Sequence, residues 1–206
     1  MEIELKYAVT DKLVSEKILE DQYLTAIKDK NSDERIKMDA VYFDTADGVL
    51  RDASIALRVR RENNKIISTI KWNGSAEDGL HIREEINIPV DDEKFLEEPK
   101  LDIFDQCPMG EILRELVGDK KMVPIMQINF VRKQMRIDTG KSISVISLDK
   151  GEIITDKGNA PISELEIELY SGDKDDLSVV GETLAEKYNL VPENTSKYKR
   201  GLDLIR

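Results

Sequence analysis

The chain holds one cysteine, one histidine and one tryptophan in 206 residues. The single Cys107 excludes an intramolecular disulfide framework. Pro108 follows it and no cysteine–histidine pairing pattern is visible, so Cys107 reads as a buried or loop thiol, not a nucleophile. The single His81 excludes a three-histidine zinc site and leaves one base for any Ser-His-Asp arrangement. Aromatic residues make up 5% of the chain, which argues against a dedicated stacking platform for a heterocycle. No apolar run approaches the roughly 20 residues of a membrane span. The N-terminus lacks a basic region followed by an apolar stretch, so no secretory signal is expected and the cytoplasm is the expected compartment. Positive charge is not in excess either. The formal net charge of -11 argues against a nucleic-acid binder working through a basic surface. It leaves room for a concentrated basic pocket, since net charge says nothing about position.

What the chain does have is charge in rows. Glu2-Ile3-Glu4-Leu5-Lys6 alternates with period two, so on a strand Glu2, Glu4 and Lys6 share one face and Ile3, Leu5 and Tyr7 the other. The pattern recurs. Arg58 and Arg60 oppose Leu57 and Val59, and Thr69 and Lys71 oppose Ile70 and Trp72. Arg83 and Glu85 oppose Ile82, Ile86 and Ile88, and Arg132 and Arg136 oppose Val131, Met135 and Ile137. Glu164, Glu166 and Glu168 stand against Leu165, Ile167 and Leu169. The rows near both ends are acidic and those between are mostly basic. Paired carboxylates on a rigid face can share a divalent cation, and neighbouring Lys and Arg can hold an anion.

Two architectures satisfy these rows. In a closed barrel the charges line a lumen and the apolar faces point outward, under helices. In a sandwich the charges face solvent. Periodicity alone is compatible with both. The helical segments favour the barrel. A helix is expected from Asp11 to about Lys28, with Leu13, Tyr23, Leu24 and Ile27 on one face, and a second amphipathic helix from Lys174 to Asn189. A short helix follows from Ser196 to Leu204. Strands are expected at about 2–9, 37–45, 56–62, 65–72, 81–88, 126–137, 143–149, 152–155 and 162–170. Asn73 to Gly79 reads as a polar loop and Pro89 as a strand stop. At 206 residues the chain fits one domain, residues 1–206, with a helical insertion at about 90–124 packed over the barrel.

The Glu2-Ile3-Glu4-Leu5-Lys6 run resembles the E-x-E-x-K signature of the CYTH superfamily, the triphosphate tunnel metalloenzymes. Further motifs agree in order: Tyr42-Phe43-Asp44-Thr45, Leu57-Arg58-Val59-Arg60, Thr69-Ile70-Lys71, Arg83-Glu84-Glu85, Leu148-Asp149-Lys150-Gly151, Glu164 to Glu168, and Ser196-Lys197. The resemblance covers nearly the whole chain and is strongest to bacterial inorganic triphosphatases. It implies an α+β fold: a closed eight-stranded antiparallel β-barrel, the triphosphate tunnel, with helices packed outside. It implies Mg2+ or Mn2+ as cofactor, held by Glu2, Glu4, Asp149, Glu166 and Glu168. It implies that Lys6, Arg58, Arg60, Lys71, Arg83, Arg132 and Lys197 bind phosphate oxygens. Glu2, Glu4, Lys6, Arg58, Arg60, Lys71, Arg83 and Glu85 form the implied catalytic set. Glu85 and Asp149 are also candidates for orienting the bases.

The activity this implies is metal-dependent hydrolysis of inorganic triphosphate to diphosphate and phosphate. The competing readings are a nucleoside or thiamine triphosphatase, a class IV adenylate cyclase, and a non-catalytic polyphosphate-binding module. No His-Phe pair precedes E-x-E-x-K, as it often does in the cyclase branch, which disfavours a cyclase. The expected partner is triphosphate or another polyphosphate, with no nucleic acid and no membrane; a homodimer stays open. Trp72 reads as core facing a helix, His81 as a strand-start surface residue and Arg200 as a further phosphate candidate. Arg136 stays open between lumen and rim.

Overall fold

The computed structural model describes residues 1–205. In chain order the strands are β1 (Glu2–Ala8), β2 (Glu34–Thr45), β3 (Ala56–Glu62), β4 (Lys65–Glu77), β5 (Leu80–Val90), β6 (Met122–Asp138), β7 (Ser142–Thr155), β8 (Gly158–Gly172) and β9 (Val191–Pro192). The helices are α1 (Lys12–Lys17), α2 (Gln22–Ile27), α3 (Val49–Asp52), α4 (Gly110–Val117), α5 (Lys174–Tyr188) and α6 (Lys197–Ile205). The strands form one antiparallel sheet in the order β5-β4-β3-β2-β6-β7-β8-β1-β9, and β1 also pairs with β5. That extra pairing closes the eight long strands into a barrel. β1 is the closing stave: Glu2 to Leu5 pair with β5, and Glu4 to Ala8 with β8. The two-residue β9 extends β1 beyond the point where β5 leaves it. Closure removes the free edges that an open sheet would expose.

The apolar rows point outward and are covered. Leu5, Tyr7, Leu165, Ile167, Ile146 and Leu148 pack beneath Leu177, Val180 and Leu184 of α5 and beneath Ile18 and Leu24. Leu57, Val59, Ile70 and Phe43 pack beneath Phe95, Phe104, Leu113 and Val117, which belong to the segment between β5 and β6. Asp173 caps α5 by accepting the Asp175 amide at 2.9 Å, and Asn189 closes it in the left-handed region. A third apolar cluster lies on the inward face. There Tyr198, Leu202, Leu204 and Ile205 of α6 pack on Met38, Ala40, Tyr42, Met126, Ile128 and Ile153. This helix lies across the inner wall at one end, not on the outside like the others. Gly201 permits that seat, because a Cβ there would stand 2.3 Å from Met126 Sδ and 3.2 Å from Ile153 Cγ2.

Several local expectations are corrected. The helix expected from Asp11 to Lys28 breaks at Asp21. That residue leaves helical geometry and caps α2 by accepting the Tyr23 amide at 2.8 Å. Leu13, expected on the buried face, is 65% exposed. The expected loop from Asn73 to Gly79 is mostly strand. β4 continues past a bulge between Trp72 and Ser75 and turns at Asp78-Gly79, where φ is 49° and 81°. Two successive positive φ values make the tight turn whose twist suits a hairpin. Pro89 does not stop β5. Beyond Arg83 the β1 side of β5 is unpaired, so the missing amide of Pro89 costs no ladder bond. Residues 143–149 and 152–155 belong to one strand, β7, because Gly151 stays in register with Phe130.

Candidate active site

Barrel closure turns the charged rows inward around a cavity of about 630 Å³. Nine cationic side chains and five carboxylates line it, so the cavity is locally positive inside a chain of net charge -11. Register explains the assembly. Glu4 lies directly opposite Glu168, Lys6 opposite Glu166, and Glu2 opposite Arg83. On the far wall Tyr42 lies opposite Arg58, and Ala40 opposite Arg60.

The acidic wall is built from β1 and β8. Glu2 pairs with Arg83 and, at 3.0 Å, with Lys71; Glu4 pairs with Arg83 at 2.8 Å. Lys6, 2% exposed, lies between Glu166 at 3.1 Å and Glu4 at 3.4 Å. Glu166 also meets Arg132 and Lys197, the latter at 2.7 Å. Burial alone would favour the neutral acid, yet Lys197, Lys6 and Arg132 hold the Glu166 carboxyl well below the usual range. Glu168 differs. Among the described residues it forms no ion pair, and burial together with Glu2 and Glu4 pushes its carboxyl up to about 7.

The cationic wall is under-compensated. Arg60 meets Glu62, and among the described residues its buried Nε has no hydrogen-bond partner. Burial, Arg58 and Arg132 together push the Arg60 guanidinium down to about 10. Among the described residues the buried Arg58 Nε likewise has no partner. A buried donor without an acceptor is costly. Glu85 meets Lys71 at 2.5 Å; although burial opposes it, Lys71 and Arg58 hold Glu85 down to about 2.

The structure gathers twelve of the thirteen sequence-derived residues on the lining: Glu2, Glu4, Lys6, Arg58, Arg60, Lys71, Arg83, Glu85, Arg132, Glu166, Glu168 and Lys197. Asp149 lies behind it, fully buried. Its two oxygens grip Arg132 at 2.8 and 2.7 Å, and Lys197 reaches it at 2.8 Å. That geometry orients two cations. Arg200 also lies off the lining, on Glu164 and the Pro161 carbonyl. Arg136 is outside, on Asp29. His81 is buried, not superficial: its Nε2 meets the Glu193 carbonyl at 2.7 Å.

Sequence reasoning missed the aromatic part of the lining. Tyr42 and Tyr198 stack with centroids 5.1 Å apart, and both border the cavity. Burial would raise the Tyr42 phenol, but Arg58, Lys71 and Arg83 bring it below its ordinary value. Phe130 sits beneath Lys197 at 5.2 Å and Arg132 at 5.7 Å. Trp72 packs against the outer cluster and also reaches the cavity. Tyr42 stood in a quoted motif without a role; Phe130 and Tyr198 carried no signal beyond period-two and helical spacing.

Comparison with known proteins agrees with this architecture. The CYTH domain family matches residues 1–202. An inorganic triphosphatase of Haemophilus influenzae is 31% identical over 208 residues, which take in 97% of this chain and 54% of that protein. The chain thus spans about half the length of the curated relative it matches. Two solved structures share the fold. One is a candidate adenylyl cyclase from Hippeastrum with a dominant triphosphatase activity, at TM-score 0.72 and 18% identity, covering 98% of this chain and 96% of that one. The other is a candidate adenylate cyclase from Bacillus halodurans, at TM-score 0.56 and 17% identity, covering 95% and 94%. A match over residues 1–202, on a closed barrel with inward charged rows, makes this chain a member of the CYTH domain family.

Proposed function

We propose that this chain hydrolyses inorganic triphosphate to diphosphate and phosphate with the help of Mg2+ or Mn2+. The observation that carries this reading is the opposition of the two walls. Arg58 and Arg60 line a cavity whose other wall is carboxylate, and among the described residues Arg58 meets no carboxylate of its own. A triphosphate is a compact chain of anionic oxygens, and guanidinium forks and lysines match it. The Haemophilus relative is an inorganic triphosphatase, which supports the same substrate.

The donor set fits a hard divalent cation. Glu4 and Glu168 are directly opposed, and the Glu168 carboxyl, raised by burial and by its acidic neighbours, is a group that a cation would relieve. Among the described residues no three His, Cys, Asp or Glu side chains already converge on one point. Glu2, Glu4, Glu166 and Glu168 would therefore hold the ion in part, with substrate oxygens or water completing its shell. When bound, the ion would supply positive charge that offsets negative charge on the phosphates and the leaving group.

The chain's own residues supply the rest. Arg58, Arg60, Lys71, Arg83, Arg132, Lys6 and Lys197 bind and align the phosphates. Asp149 keeps Arg132 and Lys197 aimed inward. A carboxylate of the acidic wall orients the attacking water. The enclosing wall limits bulk water, which strengthens every ion pair within. The stacked Tyr42 and Tyr198 favour, as a second reading, a triphosphate that carries an aromatic ring. The test is phosphate release from inorganic triphosphate, with and without Mg2+ or Mn2+, alongside a panel of nucleoside and thiamine triphosphates. Glu4→Gln and Arg58→Ala should each lower turnover about 100-fold or more; undiminished turnover in both rejects the assignment.

A further inference from the structure

We propose that Thr69 and Asn87 form a relay that positions the Arg58 guanidinium at the cavity wall without neutralising it. This deepens the triphosphate reading and rests on it for the ligand. Among the described residues, Arg58 is the one cation of the lining that makes no ion pair; Lys6, Arg60, Lys71, Arg83, Arg132 and Lys197 each meet a carboxylate. Something neutral must hold it. Arg58, Thr69 and Asn87 lie side by side in direct register on β3, β4 and β5. Arg58 Nη2 donates to Thr69 Oγ1 at 3.3 Å, and the Thr69 hydroxyl donates to Asn87 Oδ1 at 2.7 Å. Asn87 Nδ2 donates to Glu85 Oε1 at 2.5 Å, and the other Glu85 oxygen meets Lys71 at 2.5 Å.

The direction of every bond is forced. A guanidinium can only donate and a carboxylate can only accept, so the hydroxyl and the amide between them have one consistent orientation. The carboxylate therefore sits three bonds away from Arg58 instead of against it. Arg58 keeps its charge for a ligand, while its side chain is already ordered and less freedom is lost on binding. Thr69 is fully buried and absent from the lining, so it acts only through its neighbours.

The test pairs Thr69→Val, which keeps shape and removes the hydroxyl, with Thr69→Ser, which restores it. Calorimetric titration with inorganic triphosphate in the absence of metal gives the affinity. Thr69→Val should weaken binding about tenfold, the scale of a hydrogen bond to a charged group, and Thr69→Ser should recover it. On an Arg58→Ala background Thr69→Val should add no further loss. Wild-type affinity in Thr69→Val, or a full additional loss on that background, overturns the relay. A second readout needs no ligand. The Nε–Hε resonance of Arg58 in 15N-arginine-labelled protein, assigned by its absence in Arg58→Ala, should be ordered in wild type and Thr69→Ser and mobile in Thr69→Val. Equal order in all three overturns the relay even if wild type binds no triphosphate, an outcome that would instead reject the substrate reading.

Discussion

Glu4 and Glu168 face each other where β1 meets β8, and among the described residues only Glu4 of the two has cationic partners. Arg83 and Lys6 compensate Glu4, while Glu168 remains in the field of Glu2 and Glu4. Like charges held this close favour a cation between them or a proton on one of them. Glu168→Gln should therefore raise the thermal midpoint of the metal-free protein. It should also remove most of the stabilisation that Mg2+ or Mn2+ gives wild type. Thermal unfolding with and without metal checks both; an unchanged metal-induced shift contradicts the role given to Glu168.

Asp149 illustrates a different use of an acid. Its oxygens are spent on Arg132 and Lys197. Asp149→Ala leaves two buried cations short of a partner and should cost about 3–5 kcal/mol of stability, the scale for breaking a buried pair. Denaturant unfolding measures the loss. A cost below about 1 kcal/mol, the scale of an exposed pair, would place Asp149 outside the network.

The seat of α6 depends on Gly201, whose added Cβ would meet Met126 and Ile153. Gly201→Val should cost about 1–3 kcal/mol through overpacking. It should also raise KM for triphosphate, because Lys197 at the start of α6 is displaced. A stable variant with wild-type KM would mean that α6 does not position Lys197.

Acid sensitivity should arise partly far from the cavity. Asp176 on α5 accepts from Ser142 Oγ at 2.6 Å and from Thr139 Oγ1, and these bonds hold its carboxyl below its ordinary value. A carboxyl depressed in the folded state adds stability that is full above its unfolded value of about 3.9. That stability is lost as pH falls through the lower folded value. Asp176→Asn should be less stable than wild type at neutral pH and should lose less below about pH 4. Parallel acid-unfolding curves would contradict this.

Much of the site was legible because strand alternation is strict. Once Glu2, Glu4 and Lys6 share a face, closure of the barrel fixes whether they meet Glu166, Glu168 and Arg83. Alternation could not show closure itself, which depends on β1 finding β5 about 80 residues away. Nor could it show depth along the barrel axis. Asp149 shares the inward row yet lies behind Arg132, because a short acid under a long base is covered by it. The helical spacing of Ser196 to Leu204 does not show which side of the barrel wall α6 takes; its apolar residues pack on the inner wall and bring Tyr198 against Tyr42. The break at Asp21 was missed because the apolar spacing runs through it, while Tyr188 and Lys187, which hold Asp21, lie on α5.

The most direct measurement is anomalous diffraction from crystals soaked with Mn2+ and inorganic triphosphate. A manganese peak should appear beside Glu4 and Glu168, and phosphate density on Arg58 and Arg60, both inside the barrel. Manganese and phosphate bound only on the outer surface, with solvent alone in the cavity, would contradict that placement.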